Sequence, residues 1–123
     1  MVRVVVLDND QTLLGLMDEI LRMQGWDCLA LPGDTCFAVI AQAAADVIIL
    51  DVWLDTPERG LSLLHQLRSS PATRSIPIIV YSGALDRVQA NRPWLDGHGI
   101  PILTKPFELD ELFTLVRAAL RGN

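Results

Sequence analysis

Four short apolar runs in this chain end in residues whose types could do chemistry. Asp8, Asn9 and Asp10 follow Val4–Leu7, and Asp51 follows Val47–Leu50. Ser82 and Gly83 follow Ile78–Tyr81, and Thr104, Lys105 and Pro106 follow Ile100–Leu103. Clustered carboxylates repel one another and persist when a cation neutralises them, and hard oxygen ligands favour Mg²⁺. A lysine and a hydroxyl opposite them can bind phosphoryl oxygens. The remaining carboxylate can then attack phosphorus and form an acyl phosphate. Brought together, these residue types imply Mg²⁺-dependent phosphoryl transfer to an aspartate.

Bringing them together requires a particular scaffold. A fifth apolar run, Cys28–Leu31, lies between the first two. The Val- and Ile-rich, nearly continuous runs read as parallel strands covered on both faces. Between them the spacing is helical. Leu13, Leu14, Met17, Ile20 and Leu21 predict an amphipathic helix over Gln11–Gln24, stopped by Gly25. Phe37, Ile40, Ala41 and Ala44 predict a second, capped by Asp34 or Thr35. Leu61, Leu64 and Leu67 predict a third. Leu85–Asp96 forms a weaker fourth that Pro93 should end or kink. Leu109, Leu112, Phe113, Val116 and Leu120 predict a last helix, started at Pro106–Glu108. The alternation predicts one α/β domain over 1–123, a five-stranded parallel sheet with helices on both faces. Ligands of such folds sit beyond the carboxyl ends of the strands, where the polar residues fall.

The chain has 123 residues, 50% hydrophobic and 20% charged, which suits one domain with an independent core. A net charge of -5 and 6% aromatic residues argue against a phosphate-binding or base-stacking surface, so no nucleic-acid partner is expected. Cys28 and Cys36 match neither a disulfide framework nor a zinc spacing and read as buried or half-buried reduced thiols. No apolar run approaches the roughly 20 residues of a membrane span, and no leader opens the chain, so a cytoplasmic protein without a membrane partner is expected. Gly15, Gly25, Gly33 and Gly60 form no phosphate-binding loop pattern. His65 and His98 read as surface or packing residues, as do Trp26 and Trp94.

Four segments in order, VVVLDND at 4–10, DVIILD at 46–51, IPIIVYSG at 76–83 and ILTKPF at 102–107, carry a family likeness. The chain resembles a response-regulator receiver domain, the CheY-like phosphoacceptor of two-component signalling, over essentially its whole length. The resemblance implies a flavodoxin-like (βα)5 fold. It implies that Asp51 is the phosphoacceptor and that Asp8 belongs to the acidic pair holding Mg²⁺. Ser82 would bind a phosphoryl oxygen, and Lys105 would pair with the phosphate. Pro106 would follow a cis bond that aims Lys105 into the site. Trp53 would offer its backbone carbonyl to the metal. The implied partners are a histidine kinase or histidine phosphotransfer protein, and a downstream protein or a second copy meeting the last helices. Turnover in the enzymatic sense is not implied, beyond self-catalysed phosphorylation and dephosphorylation.

The departures carry consequences. Asn9 stands where the pair has its second acid, so Asn9 can offer an amide oxygen but not a charge. Asp55 replaces a proline four residues after Asp51, and Gly60 suggests a loop one residue longer. Ile102 replaces the aromatic switch of the fifth strand, so no tyrosine relay can run there. Two other readings compete. LDNDQT at 7–12 also fits the DxDxT signature of haloacid-dehalogenase-like phosphatases, with Asp8 as nucleophile and Asp10 as acid/base. That reading leaves Asp51 idle and lacks a later acidic pair. A receiver that binds partners without being phosphorylated is the third.

Overall fold

The computed structural model describes residues 2–51, 57–83 and 85–121. Within them, strands β1 (Arg3–Asp8), β2 (Asp27–Pro32), β3 (Val47–Asp51), β4 (Ile78–Ser82) and β5 (Ile102–Thr104) form one sheet. The strands pair in parallel in the order β2-β1-β3-β4-β5. Helices α1 (Gln11–Met23), α2 (Phe37–Ala41), α3 (Pro57–Ser69), α4 (Leu85–Ala90), α5 (Arg92–Gly97) and α6 (Leu109–Arg121) connect and follow them.

Side chains alternate along each strand, so each strand supplies both faces of the sheet. Val5, Leu7, Ile48, Leu50, Ile78 and Val80 pack with Ile40, Leu64, Leu67 and Leu95 of α2, α3 and α5. Val4, Val6, Val47, Ile49, Ile79 and Tyr81 pack with Leu14, Met17 and Leu21 of α1 and Leu112 and Val116 of α6. Val4 to Leu7 and Val47 to Leu50 are completely buried, which is why neither run shows a polar alternation. Each such side chain contributes roughly 1.5–3 kcal/mol relative to exposure.

The element boundaries follow local chemistry. Asp10 caps α1, accepting from the N–H groups of Thr12 and Leu13. Gly25 ends it at φ 85°, a conformation that costs glycine no Cβ clash. The weak fourth helix is two helices: the break falls at Asn91, and Pro93 sits in the first turn of α5, where its missing N–H is not needed. β5 begins later than the apolar run suggests, because Pro101 has no N–H to pair.

Three sequence expectations need correction. The residue at the start of α2 is Cys36, with no side-chain cap, so neither Asp34 nor Thr35 fills that role; Thr35 instead closes a turn onto the Pro32 carbonyl. Cys36 is exposed, whereas Cys28 is buried and its thiol is pushed up to about 12 by burial and then by Asp18. Gly60 lies inside α3 rather than in a lengthened loop. Trp94 is half-buried between His65 and His98, with ring centroids 4.0 and 4.1 Å away, and Trp26 meets the edge of Phe113. All four are packing residues, as their types suggested.

Candidate functional site

The chain leaves β1 toward β2 on one side and reaches β3 on the other. The carboxyl ends of β1 and β3 therefore flank the crevice where the strand order reverses. Asp8 ends β1 and Asp51 ends β3. Two-residue alternation puts Asp8 in phase with Val4 and Val6, and Asp51 in phase with Val47 and Ile49. Both carboxylates thus point to the face covered by α1 and α6. Lys105, in phase with Leu103, reaches the same place from β5. The Lys105–Pro106 peptide is cis, as the resemblance implies.

Lys105 Nζ donates to Asp8 Oδ2 and to Asp51 Oδ2, each at 2.9 Å. The two carboxylate side chains are 2% and 7% exposed, and that of Lys105 is 23% exposed. Such burial is tolerated because the charges are paired and hydrogen-bonded. Burial alone would pull the lysine pKa down. The bonds to Asp51 and Asp8 outweigh it and hold the ammonium above its ordinary value. Two carboxylates face one ammonium, which leaves one negative charge over.

Asn9 is exposed at the rim. Asp10 is committed to capping α1, and its backbone N–H donates to Asp8 Oδ1 at 2.9 Å. Its side chain therefore serves the helix rather than the carboxylate pair. Ser82 is buried at the end of β4, and its carbonyl accepts from Lys105 N–H at 3.0 Å. Trp53 and Asp55 lie outside the described residues. Ile102 is half-buried on β5.

Sequence reasoning missed Tyr81. It is fully buried, pairs in register with Asp51, and donates its hydroxyl to Asp8 Oδ2 at 2.6 Å. Burial first, and the Asp8 carboxylate second, push its phenol far above the ordinary value, so it is a donor at any working pH. The available signal was its phase: a lone phenol ending an aliphatic run, in step with Ile79 on the carboxylate face.

The family model described as the response regulator receiver domain matches residues 4–117. This chain belongs to that family. It is 33% identical to the probable transcriptional regulatory protein TcrX of Mycobacterium tuberculosis, over 98% of this chain and 50% of the relative. It is 32% identical to the DNA-binding dual master transcriptional regulator RpaA of Synechocystis, again over 98% of this chain and 50% of the relative. The receiver thus spans about half the length of these curated relatives. Among solved structures, a two-component response regulator from Clostridium difficile superposes with a TM-score of 0.82 at 25% identity, covering 100% of this chain and 99% of that one. A putative response regulator from Chloroflexus aurantiacus gives 0.81 at 27% identity, covering 96% of each chain. Those likenesses match the five-stranded parallel sheet and the receiver assignment read from the residues. The expectation of no nucleic-acid partner gains no support, since one relative is named as DNA-binding. Among the described residues no helix is long and apolar enough to cross a membrane.

Proposed function

We propose that this receiver accepts a phosphoryl group on Asp51 from a histidine kinase or a histidine phosphotransfer protein in two-component signalling. The observation that carries the reading is the buried Asp8–Lys105–Asp51 cluster at the strand-order reversal, with Lys105 2.9 Å from both carboxylates. A carboxylate oxygen of Asp51 attacks phosphorus, a P–O bond forms, and the P–N bond to the donor imidazole breaks. The imidazole leaves with the electron pair and takes a proton. Lys105 already contacts Asp51, so its ammonium is placed to balance the charge that arrives. Ser82, buried beside the end of β3, supplies a hydroxyl from the neighbouring strand.

The donor set fits a small hard cation. Asp8 and Asp51 are oxygen ligands, Asn9 offers an amide oxygen at the rim, and the cluster carries one negative charge in excess of Lys105. Asn9 brings no charge where the family's acidic pair has its second acid, so Mg²⁺ would be held weakly, by Asp8, Asp51, Asn9 and the Trp53 carbonyl that the family resemblance implies. When bound, Mg²⁺ would neutralise phosphoryl oxygens that Lys105 does not reach.

An apolar groove of about 440 Å³ opens beside the site, between Leu13, Leu16 and Ile20 of α1 and the Pro106–Leu109 segment. Leu16 and Leu109 are about half exposed there, a surface suited to a helical phosphodonor. A downstream partner or a second copy would meet α5 and α6. Phosphorylation would bias a two-state equilibrium of the Ser82 segment and that face.

The test is peptide-level mass spectrometry after incubation with Mg²⁺ and acetyl phosphate. A phosphoryl adduct is expected on Asp51 and should vanish in Asp51→Asn. An adduct on Asp8 would transfer the chemistry to the phosphatase-like reading. No adduct at any Mg²⁺ concentration would leave a receiver that binds partners unmodified.

A further inference from the structure

Tyr81 has no role in the chemistry above, yet it is the largest fully buried side chain among the described residues and touches the site directly. Its hydroxyl and Lys105 Nζ both donate to Asp8 Oδ2, at 2.6 and 2.9 Å. Asp10 N–H donates to Asp8 Oδ1 at 2.9 Å. An ionised carboxylate offers about four acceptor positions. Three donors therefore occupy both positions on Oδ2 and one on Oδ1, and a cation or its bound water would find room on Oδ1. The ring itself is fixed, with Lys105 Nζ 4.3 Å from its centroid and Phe107 edge-on at 6.1 Å.

The hydroxyl does not contribute equally with and without a cation. A hydrogen bond to a fully charged, desolvated carboxylate is roughly twice as strong as one between neutral groups. A divalent cation sharing that carboxylate's charge weakens the same bond. The hydroxyl therefore stabilises the cation-free site more than the cation-bound site, and by reciprocity it opposes the cation.

Resting on the reading of Asp8 and Asp51 as a cation site, we propose that Tyr81 is a positioning residue that holds Asp8 Oδ2 and thereby lowers the affinity of the site for divalent cations. It acts in the same direction as Asn9. Together they make a receiver whose carboxylate pair is largely satisfied by the protein's own donors before any metal arrives.

Calorimetric Mg²⁺ titration of the whole chain tests this with Tyr81→Phe, which keeps the ring and its contacts. The expected result is affinity about fivefold tighter than wild type, close to 1 kcal/mol at 1.4 kcal/mol per decade. In an Asp8→Asn background, Tyr81→Phe should change nothing, because the acceptor charge it answers is gone. Equal or weaker affinity in Tyr81→Phe, with wild type still binding, overturns the proposal and leaves the cation site standing. Wild type that binds no Mg²⁺ overturns the cation site and the proposal with it. Tyr81 is the only tyrosine in the 123-residue sequence, so fluorotyrosine incorporation places one ¹⁹F label there even if the Phe variant folds poorly. Its resonance should move along the Mg²⁺ titration curve; a resonance that stays put while calorimetry shows binding also overturns the proposal.

Discussion

Replacing Lys105 by Met removes the ammonium, which lies over the Tyr81 ring, and keeps most of the aliphatic stem. At an effective dielectric near 20, each 2.9 Å contact from Lys105 to Asp8 and Asp51 is about 6 kcal/mol of gross attraction. Desolvation and mutual repulsion of the two carboxylates offset most of it. Stripping one partner from a buried ionic cluster costs about 3–5 kcal/mol. The low end applies here, because the Lys105 side chain is 23% exposed and water can reach the gap. Lys105→Met should therefore lose about 3 kcal/mol in urea unfolding with chelator present. Added Mg²⁺ should restore much of it, since the cation takes over the compensation: saturation at 100 times Kd contributes about 2.7 kcal/mol. The alkaline limb gives a second reading. The Lys105 pKa is raised on folding, so its stabilisation is full below the ordinary lysine value and is lost as pH rises through the folded value. Within that window the wild-type stability should fall with pH by about 1.4 kcal/mol per unit more steeply than the variant's. A loss under about 1 kcal/mol in chelator, with no recovery in Mg²⁺, would refute the claim that Lys105 compensates two buried carboxylates.

Asn9→Asp returns a charge to the rim of the site. A unit charge about 4 Å from a divalent ion is worth about 2 kcal/mol in a water-like dielectric, less after screening, so Mg²⁺ affinity should rise about tenfold by calorimetry. Unchanged affinity would place Asn9 outside the metal's reach. Two glycines of the first helical segment should respond with opposite signs in thermal unfolding. Gly15→Ala fills open space in an exposed part of α1 and should add about 0.8 kcal/mol. Gly25→Ala, at φ 85° and also in open space, should cost about 1–2 kcal/mol from the backbone alone.

The scaffold was readable because burial on both faces makes β1 and β3 continuous apolar runs, and because each run stops at the residue that enters the crevice. Asp8, Asp51 and Lys105 could be placed from that alone. What escaped was phase. Tyr81 stands in step with Ile79 on the carboxylate face, and the hydroxyl that meets Asp8 comes from its phenol. The start of α2 escaped for a different reason: Asp34 and Thr35 both suit a cap, but Thr35 is drawn into a turn on Pro32 and the helix begins beyond it. The break at Asn91 was legible because proline permits few alternatives.

The brevity of β5 has a further consequence. Three residues form this outer strand, and Pro101 and Pro106 stand just beyond its ends. Lys105 N–H faces inward to Ser82, so alternation leaves the N–H groups of Ile102 and Thr104 on the open side. A strand arriving from another molecule would find two donors and a proline on either flank. That is too little to extend the sheet at the β5 edge, which is blunted against edge-to-edge pairing. Copies of this molecule that associate at this edge must do so through helices and side chains, which leaves the choice of neighbour there to the sequence of those surfaces rather than to the backbone.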